Sequence, residues 1–424
     1  MRNCAFTIVA KNYIGLGMIL RKSFYEYHKD IDFFIFVADE LEQEQNAIPQ
    51  EVVFAKSVLP FSEDTWKNMT FKYDLTEFCT AIKPGCFKYL LELGYEKAIY
   101  FDPDIFIFSS VDEIYQKLDN YDIALTPQIV GIHKNYAGEH PEWVMNVNGI
   151  FNLGFCAVRS SAISHRILDW WQQKLLDNCF NDRSVGNFTD QKWMDWMPGF
   201  LGNEHLYVFR HLGMNMAPWN YFERELFYKG DKIMVRFRAQ DCPQQEDELV
   251  FLHFAGYDYT KMKQGIISRK RIQDLKEYDD LYIATSIYQK AIIDNQMLFD
   301  SFISQSYSYA TFNNGQTITT FHRRLYHGLK LENYPCSDPF ATGKGTFYEA
   351  ICKKGMITDS SYDKVSQYNI KNMEGKKKAI GMLFGVLFKL IGYKRYVLFV
   401  KSLYHFCRPE LHLFLIKKYI RRIT

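Results

Sequence analysis

The chain lacks any C-x-x-C pair. Its nine cysteines (Cys4, Cys79, Cys86, Cys156, Cys179, Cys242, Cys336, Cys352 and Cys407) are scattered. Cys79 and Cys86 stand too far apart for a short zinc loop, and no cysteine–histidine set follows them, which argues against a structural zinc. Such cysteines are expected as reduced core residues, which suits the cytoplasm. No secretory leader is expected either: Met1–Ala10 enters a strand pattern at once, with no apolar core and small-residue cleavage site. There is no glycine-rich phosphate loop near the start, no internal repeat and no nucleic-acid motif, so nucleic acid is not an expected partner.

What is present is an ordinary folding composition: 47% apolar and 24% charged residues over 424 positions. That length holds one large domain with an appendage, or two to three smaller units. Aromatics are abundant at 17%, which suits stacking surfaces for sugars or bases as well as packing. Net charge is only +2, yet from Lys376 onward twelve basic residues face one acid, Glu410. The tail therefore carries about +11 and the rest of the chain about −9.

The densest chemical signal is Ile99–Phe108, in which Asp102 and Asp104 flank Pro103 between two apolar runs. Aspartate is disfavoured inside strands, and an unpaired buried carboxylate is costly. A divalent cation compensates two such charges, and the i, i+2 spacing lets both converge on one ion if the chain turns at Pro103. Hard oxygen ligands favour Mg²⁺ or Mn²⁺, ions that usually also hold a phosphate-bearing ligand. For a bare pair of this kind the alternative is a surface turn capping an apolar strand. Here the pair follows a helical stretch, Lys83–Leu93, that ends at Gly94 before a strand over Ala98–Phe101.

Phe6–Ala10 and Phe33–Val37 are predicted strands, and Gly15–Tyr27 carries Leu16, Ile19, Leu20 and Phe24 at helical spacing. Ile123–Thr126 is a further short strand. The alternation predicts an α/β layered domain with a mostly parallel mixed sheet flanked by helices. Ligands of such sheets lie beyond the carboxyl ends of the strands, where Asp102 and Asp104 stand. Further on, Gly149–Val158 and Leu249–Phe254 read as strands, and Ile163–Asn178 and Asp190–Trp196 as helical. From Ser268 to about Ser306 the pattern is helical and polar, an irregular stretch covers 313–346, and 360–378 looks like a linker. The expected division is 1–267 as catalytic domain, 268–375 as helical and irregular extension, and 376–424 as basic helical tail.

Taken in order, these segments resemble a nucleotide-sugar glycosyltransferase of the GT-A fold, most closely the family-8 retaining enzymes of bacterial surface-glycan synthesis. Ala5–Tyr13 resembles that family's first strand and nucleotide-binding loop, with Ala10, Lys11, Asn12 and Tyr13 beside base and ribose; the family's acids are replaced here by Ala10 and Lys11. Ala81–Leu91 resembles the basic helix before the acidic pair, which places Lys83 near the diphosphate or the carboxylates. Phe151–Phe155 resembles the F-N-x-G strand, whose Asn152 and Gly154 line the donor-sugar pocket. Asp190 and Gln191 match the pair beside the transferred sugar, though Lys192 stands where an acid often follows. His253-Phe254-Ala255-Gly256 matches the first half of H-x-x-G-x-x-K-P, whose histidine is the third metal ligand. Lys261 comes two residues late and lacks the proline, so either Lys261, Lys263 or neither reaches the β-phosphate.

The resemblance spans roughly residues 1–262 and implies a metal site of Asp102, Asp104 and His253. It implies a cofactor-binding set of Ala10, Lys11, Asn12, Tyr13, Lys83, Asp102, Pro103, Asp104, Asn152, Gly154, Gly256 and Lys261, with Asp190 and Gln191 catalytic. The expected cofactors are Mn²⁺ or Mg²⁺ and a UDP-hexose donor. An ion on this set would stabilise the diphosphate as the sugar C1–O bond breaks, and imidazole among the ligands suits Mn²⁺ somewhat better. Asp190 or Gln191 could place an oxygen under the oxocarbenium-like sugar. Plainer roles stay open: His253 as a core histidine, Asn152 as a turn residue and Asp190 as a helix cap with Thr189. Trp170, Trp171, Trp193 and Trp196 fit packing better than sugar platforms, whereas Trp219, in a loop-like stretch, is a candidate for the acceptor site.

In the tail, apolar stretches are too short and too interrupted for the roughly 20 apolar residues that span a bilayer. Basic residues among Phe, Leu, Tyr and Ile fit helices lying on an anionic membrane; a bundle docked on the enzyme or forming a dimer is the alternative. The expected function is hexosyl transfer to an acceptor hydroxyl of a glycan or lipid-linked precursor, at the inner membrane face. Two other functions compete: a non-catalytic glycan- or membrane-binding scaffold and a sugar nucleotidyltransferase.

Overall fold

The computed structural model describes residues 2–41, 51–239, 242–269, 275–357 and 373–420. The chain divides into two compact units, Met1–Phe61 with Leu75–Tyr307, and Ser62–Asp74 with Ser308–Thr424.

The first unit is built on β1 (Asn3–Val9), β2 (Asp32–Val37), β3 (Val52–Phe54), β4 (Lys97–Phe101), β5 (Ile105–Ile107), β6 (Ile123–Pro127) and β7 (Phe151–Arg159). All but β5 join one seven-stranded sheet with Leu206–Val208, in the order Leu206–Val208, β6, β7, β4, β1, β2, β3. From β4 to β3 the neighbours are parallel, whereas β7 is antiparallel to both β4 and β6. Cys4 to Val9 of β1 are all buried, as expected for a strand covered on both faces. Between β1 and β2 runs the helix α1 (Ile14–Tyr25), which buries Leu16, Ile19, Leu20 and Phe24 at the spacing read from the sequence. The helix Lys83–Glu92 is followed by Leu93 and by Gly94 at φ +88°; only glycine adopts that angle without strain, so the chain turns there into β4. A mostly parallel mixed sheet flanked by helices, with a helical C-terminal part, is thus what the chain forms.

Some elements differ from the pattern. The strand near Leu249 narrows to Phe251–His253 and leaves the main sheet to pair antiparallel with β5. Asp190–Trp196 is a 3₁₀ turn over Gln191–Trp196. A three-stranded antiparallel sheet of Arg224–Lys229, Lys232–Phe237 and Glu246–Glu248 stands in a stretch for which the sequence pattern named no element. The helices Tyr282–Asp294 and Gln296–Ile303, from the stretch expected to be an extension, bury Tyr288, Ile292 and Phe299 in this unit beside Leu16 and Ile19. Residues 270–274 of that stretch and 358–372 of the expected linker lie outside the described residues.

The second unit has its own core, where Phe71 meets Ile318, Leu325, Tyr326, Phe347, Leu413 and Ile416. The Phe71 ring lies 4.8 Å from Tyr326 and 5.0 Å from Phe340. Buried Arg323 donates to the carbonyls of Thr70, Phe71 and Tyr73 at 3.0, 2.8 and 2.8 Å, capping the end of the helix Glu63–Lys72, whose last carbonyls have no helical partner. The helix Met373–Phe406 breaks at Gly392 (φ +71°), and its arms face each other through Phe388 and Tyr396 at 5.2 Å. Leu383, Leu390 and Leu398 stay exposed on them, whereas Leu413 and Ile416 beyond are buried. Among the described residues no helix is long and apolar enough to cross a membrane.

Phe71→Ala leaves a cavity among these rings. Its expected cost is about 3–5 kcal/mol, measured as the shift of the urea unfolding midpoint; a change below about 1 kcal/mol would mean the ring is not packed as described.

Candidate active site

The strand β4 is fully buried and ends at Phe101. Ile105 N donates to Asp102 O at 3.0 Å, closing a turn that has Pro103 as its second residue, the position that proline's fixed φ favours. Asp102 N is tied to Gly154 O of β7 at 2.8 Å. Beyond the turn, β5 pairs with Phe251–His253 so that Ile105 lies opposite His253, and Phe254 N donates to Asp104 O at 2.8 Å. This ribbon brings a distant imidazole against the acidic turn. His253 Nε2 stands 3.0 Å from Asp104 Oδ1 and 3.7 Å from Asp102 Oδ2.

Gly154 makes room for that ring. A Cβ there would come within 2.5 Å of His253 Cε1 and 2.6 Å of Nδ1, distances that side chains do not tolerate. Two tyrosines absent from the expected set complete the surroundings: the Tyr100 hydroxyl donates to Asp102 Oδ1, and Tyr259 to Asp104 Oδ2 at 3.2 Å. Burial pushes the Asp102 carboxyl above its ordinary value, against the pull of Lys83 and His253. Burial acts likewise on Asp104, but the His253 charge and hydrogen bonds outweigh it and hold this carboxyl low. For His253 burial favours the neutral ring, yet Asp104 and then Asp102 outweigh it and raise the imidazole.

These residues fit a divalent cation. One ligand atom from each of Asp102, Asp104 and His253 lies within 4.8 Å of the others, with His253 Nε2 turned toward both carboxylates. Two carboxylates with one imidazole form a donor set for Mg²⁺- or Mn²⁺-like ions.

The other expected residues distribute unevenly. Ala10 and Lys11–Tyr13 form a 3₁₀ turn off the end of β1, held by Lys11 N to Asp39 Oδ1 at 2.7 Å. Tyr13 packs edge-on to Tyr259 at 6.1 Å; burial, then the charge of Asp104, pushes its hydroxyl up to about 12. Asn12 Oδ1 is buried without a partner. Lys83 is buried, with Nζ 2.5 Å from Asp190 Oδ2 and 2.7 Å from Leu153 O. Burial disfavours its charge, but Asp190 and then Asp102 outweigh that and raise it. The Asp190 carboxylate is thus held in an ion pair. Gln191 Oε1 accepts from Asn152 Nδ2 and Leu153 N, both at 3.2 Å.

Asn152, Gln191 and Gly256 line a cavity of about 330 Å³, together with Asn148, Arg183, Trp219 and Arg269. Trp219 lies edge-on to His253 at 5.2 Å, so the loop tryptophan does border the site. Gly256 sits at φ +76°. Lys261 is not brought in: its side chain is 54% exposed and pairs with Asp258 at 3.8 Å. Lys263 pairs with Asp300 at 2.7 Å. Of the tryptophans expected to pack, Trp171 is fully buried while Trp196 is 57% exposed. Asn215, also absent from the expected set, takes φ +52° and donates to Thr126 Oγ1 and Asn152 Oδ1 at 2.9 and 3.1 Å.

No family model matches the sequence. The uncharacterized protein YfnF of Bacillus subtilis (strain 168) is 23% identical over 305 residues, spanning 69% of this chain and 92% of that protein. Among solved structures the chain is similar to the galactosyltransferase LgtC in complex with donor and acceptor sugar analogues, with a TM-score of 0.40, 13% identity, and coverage of 72% of this chain and 97% of that one. It is also similar to the bifunctional glycosyltransferase WbbM, with a TM-score of 0.38, 13% identity, and coverage of 72% and 52%. The mannosyltransferase Ktr4p of S. cerevisiae gives 0.31, 9% identity, and coverage of 49% and 68%. These solved neighbours are glycosyltransferases.

Gly154→Ala pushes the His253 ring off the acidic turn, so Mn²⁺ binding followed by calorimetry is expected to weaken about tenfold or more. Because the ion requires a neutral imidazole, affinity in the unaltered protein should rise with pH through the raised His253 titration. Unchanged affinity in the variant would remove His253 from the ligand set.

Proposed function

We propose that this protein is a metal-dependent glycosyltransferase of GT-A type, moving a hexose from a UDP-sugar to an acceptor hydroxyl of a glycan or lipid-linked precursor. The observation that carries the reading is the convergence of Asp102, Asp104 and His253 on one point, beyond the carboxyl end of a parallel strand and beside a sugar-sized cavity. A bound Mn²⁺ or Mg²⁺ would supply charge stabilisation to the departing diphosphate.

The chain's own groups do the remainder. Tyr13 and Asn12, with Ala10 and Lys11, face the nucleotide from the turn after β1. Asn152 and Gln191 hold each other and present amide groups to the sugar, with Gly154 and Gly256 keeping the approach open. Gln191, which borders the cavity, is better placed than Asp190 to offer an oxygen to the positively charged sugar, since Asp190 is committed to Lys83. The Lys83–Asp190 pair positions Gln191 and the Leu153 carbonyl rather than touching the diphosphate. Retention of anomeric configuration belongs to this proposal. The catalytic part is residues 1–267, followed by the extension 268–375 and the tail 376–424.

The tail fits the inner, anionic face of a membrane. Lys376, Lys377, Lys378, Lys389, Lys394, Arg395 and Lys401 lie on a broken helix that also exposes Leu383, Leu390 and Leu398. Basic residues near such a surface each contribute about 1 kcal/mol.

With Mn²⁺ present, slow hydrolysis of a UDP-hexose by the full chain is expected, falling at least about 100-fold in Asp104→Ala. If every UDP-sugar is inert and another nucleotide's sugar reacts, the base assignment is wrong; if all are inert, the protein is not this enzyme. Reversing Lys376, Lys377, Lys378, Lys389 and Lys394 to Glu should abolish flotation with phosphatidylglycerol vesicles, and equal flotation would end the membrane role.

A further inference from the structure

The cavity beside the three metal-binding side chains contains a cation to which the reading above gives no task. After Gly256 the chain runs through the short helix Tyr259–Lys263 and turns at Gly265 (φ +86°). It then doubles back so that Arg269 bridges Tyr257 and Asp258 N donates to Ser268 O at 2.9 Å. Arg269 therefore returns next to the His253–Gly256 segment although it follows it by more than ten positions. Its guanidinium lies 5.4 Å from the centre of the Tyr257 ring, and one nitrogen, Nη2, donates to Glu139 Oε2 at 3.0 Å. The residue is only 8% exposed, yet its Nε and Nη1 have no hydrogen-bond partner. A buried guanidinium with unmet donors is costly unless an acceptor arrives from elsewhere.

Other cations near the site are committed. Lys83 is spent on Asp190 and Leu153 O, and Lys261 and Lys263 pair with Asp258 and Asp300. Arg183, the cavity's other arginine, lies over the Phe188 ring at 5.0 Å. We propose that Arg269 is the oxyanion receptor of this cavity, with Glu139 holding its fork in place until a phosphate or carboxylate of the substrate takes the unmet donors. A planar fork suits either oxyanion. The proposal deepens the glycosyl-transfer reading and rests on it only for where the anion comes from: the donor's diphosphate, or an acidic group on the sugar.

The test sets Arg269→Gln against Glu139→Gln. Calorimetry with saturating Mn²⁺ measures UDP in one arm, and glucuronate, added with and without UDP, in the other. Arg269→Gln is expected to weaken one arm at least tenfold, and Glu139→Gln, which removes a competing negative charge, to tighten the same arm severalfold. Uridine binding should be unchanged in both variants. A mere structural ion pair gives a different pattern, with both variants shifting binding together or not at all, and that result overturns the proposal. Whichever arm responds names the source of the anion. Wild-type UDP binding that is indifferent to Arg269, with glucuronate equally indifferent, overturns the receptor and leaves glycosyl transfer standing. Absence of UDP binding, with glucuronate still dependent on Arg269, does the reverse. Thermal midpoints are recorded for each variant. If Arg269→Gln does not fold, Arg269→Lys replaces it, with a loss of at least threefold expected and none counting against the proposal.

Discussion

The site depends on one short piece of strand pairing. Three residues of β5 lie against Phe251–His253, and that register sets His253 opposite the residue that follows Asp104. A slip of one position would turn the imidazole to the other face of the ribbon. The bonds from Phe254 N to Asp104 O and from Asp102 N to Gly154 O lock the turn to its neighbours on both sides. Bringing two carboxylates together is unfavourable by itself, so the acidic turn is held by its backbone together with the imidazole and hydroxyls that face it.

Around this turn lies a second layer of commitments that limits which groups can act. Buried Lys83 satisfies Asp190 and a main-chain carbonyl at once, an arrangement that loses several kcal/mol if either partner is removed. Asn152 is held between Gln191 and Asn215. The amides that border the cavity are therefore already oriented, which lowers the cost of ordering them on a ligand.

Much of this was legible in the sequence, for identifiable reasons. The acidic pair stands at the end of an apolar strand run that the sequence shows, whereas Asn152, Gly154, Gln191 and His253 are singled out in the sequence only by the resemblance of their motifs. The reason for Gly154 is visible only in the fold, where a Cβ would meet the His253 ring. The hairpin at Gly230-Asp231 carried a turn signal too, but mixed charges on Arg224–Lys229 and Lys232–Phe237 blurred the alternation. The imperfect motif match at Lys261 said nothing about its local partner Asp258. Tyr259, Asn215 and Arg269 carried no linear signal: each reaches the site only because strands or a doubling-back loop bring distant segments together. Tyr100, two residues before Asp102, read only as part of an apolar run. The segment Met373–Phe406 showed its helical character but not the break, since nothing in the sequence sets Gly392 apart from Gly381 and Gly385.

The segment Ser62–Asp74 belongs with residues far along the chain, and this has a consequence for biosynthesis. Trp66, Met69 and Phe71 emerge from the ribosome early, yet the rings packed on Phe71 (Phe312, Tyr326, Phe340 and Phe347) are made more than 200 residues later. At ordinary translation speeds that gap lasts on the order of tens of seconds. Throughout it a sticky patch sits between two halves of a domain that is itself condensing. The nascent polypeptide is therefore a natural client for chaperones, and a truncated message that stops before Ser308 would release a product prone to aggregate.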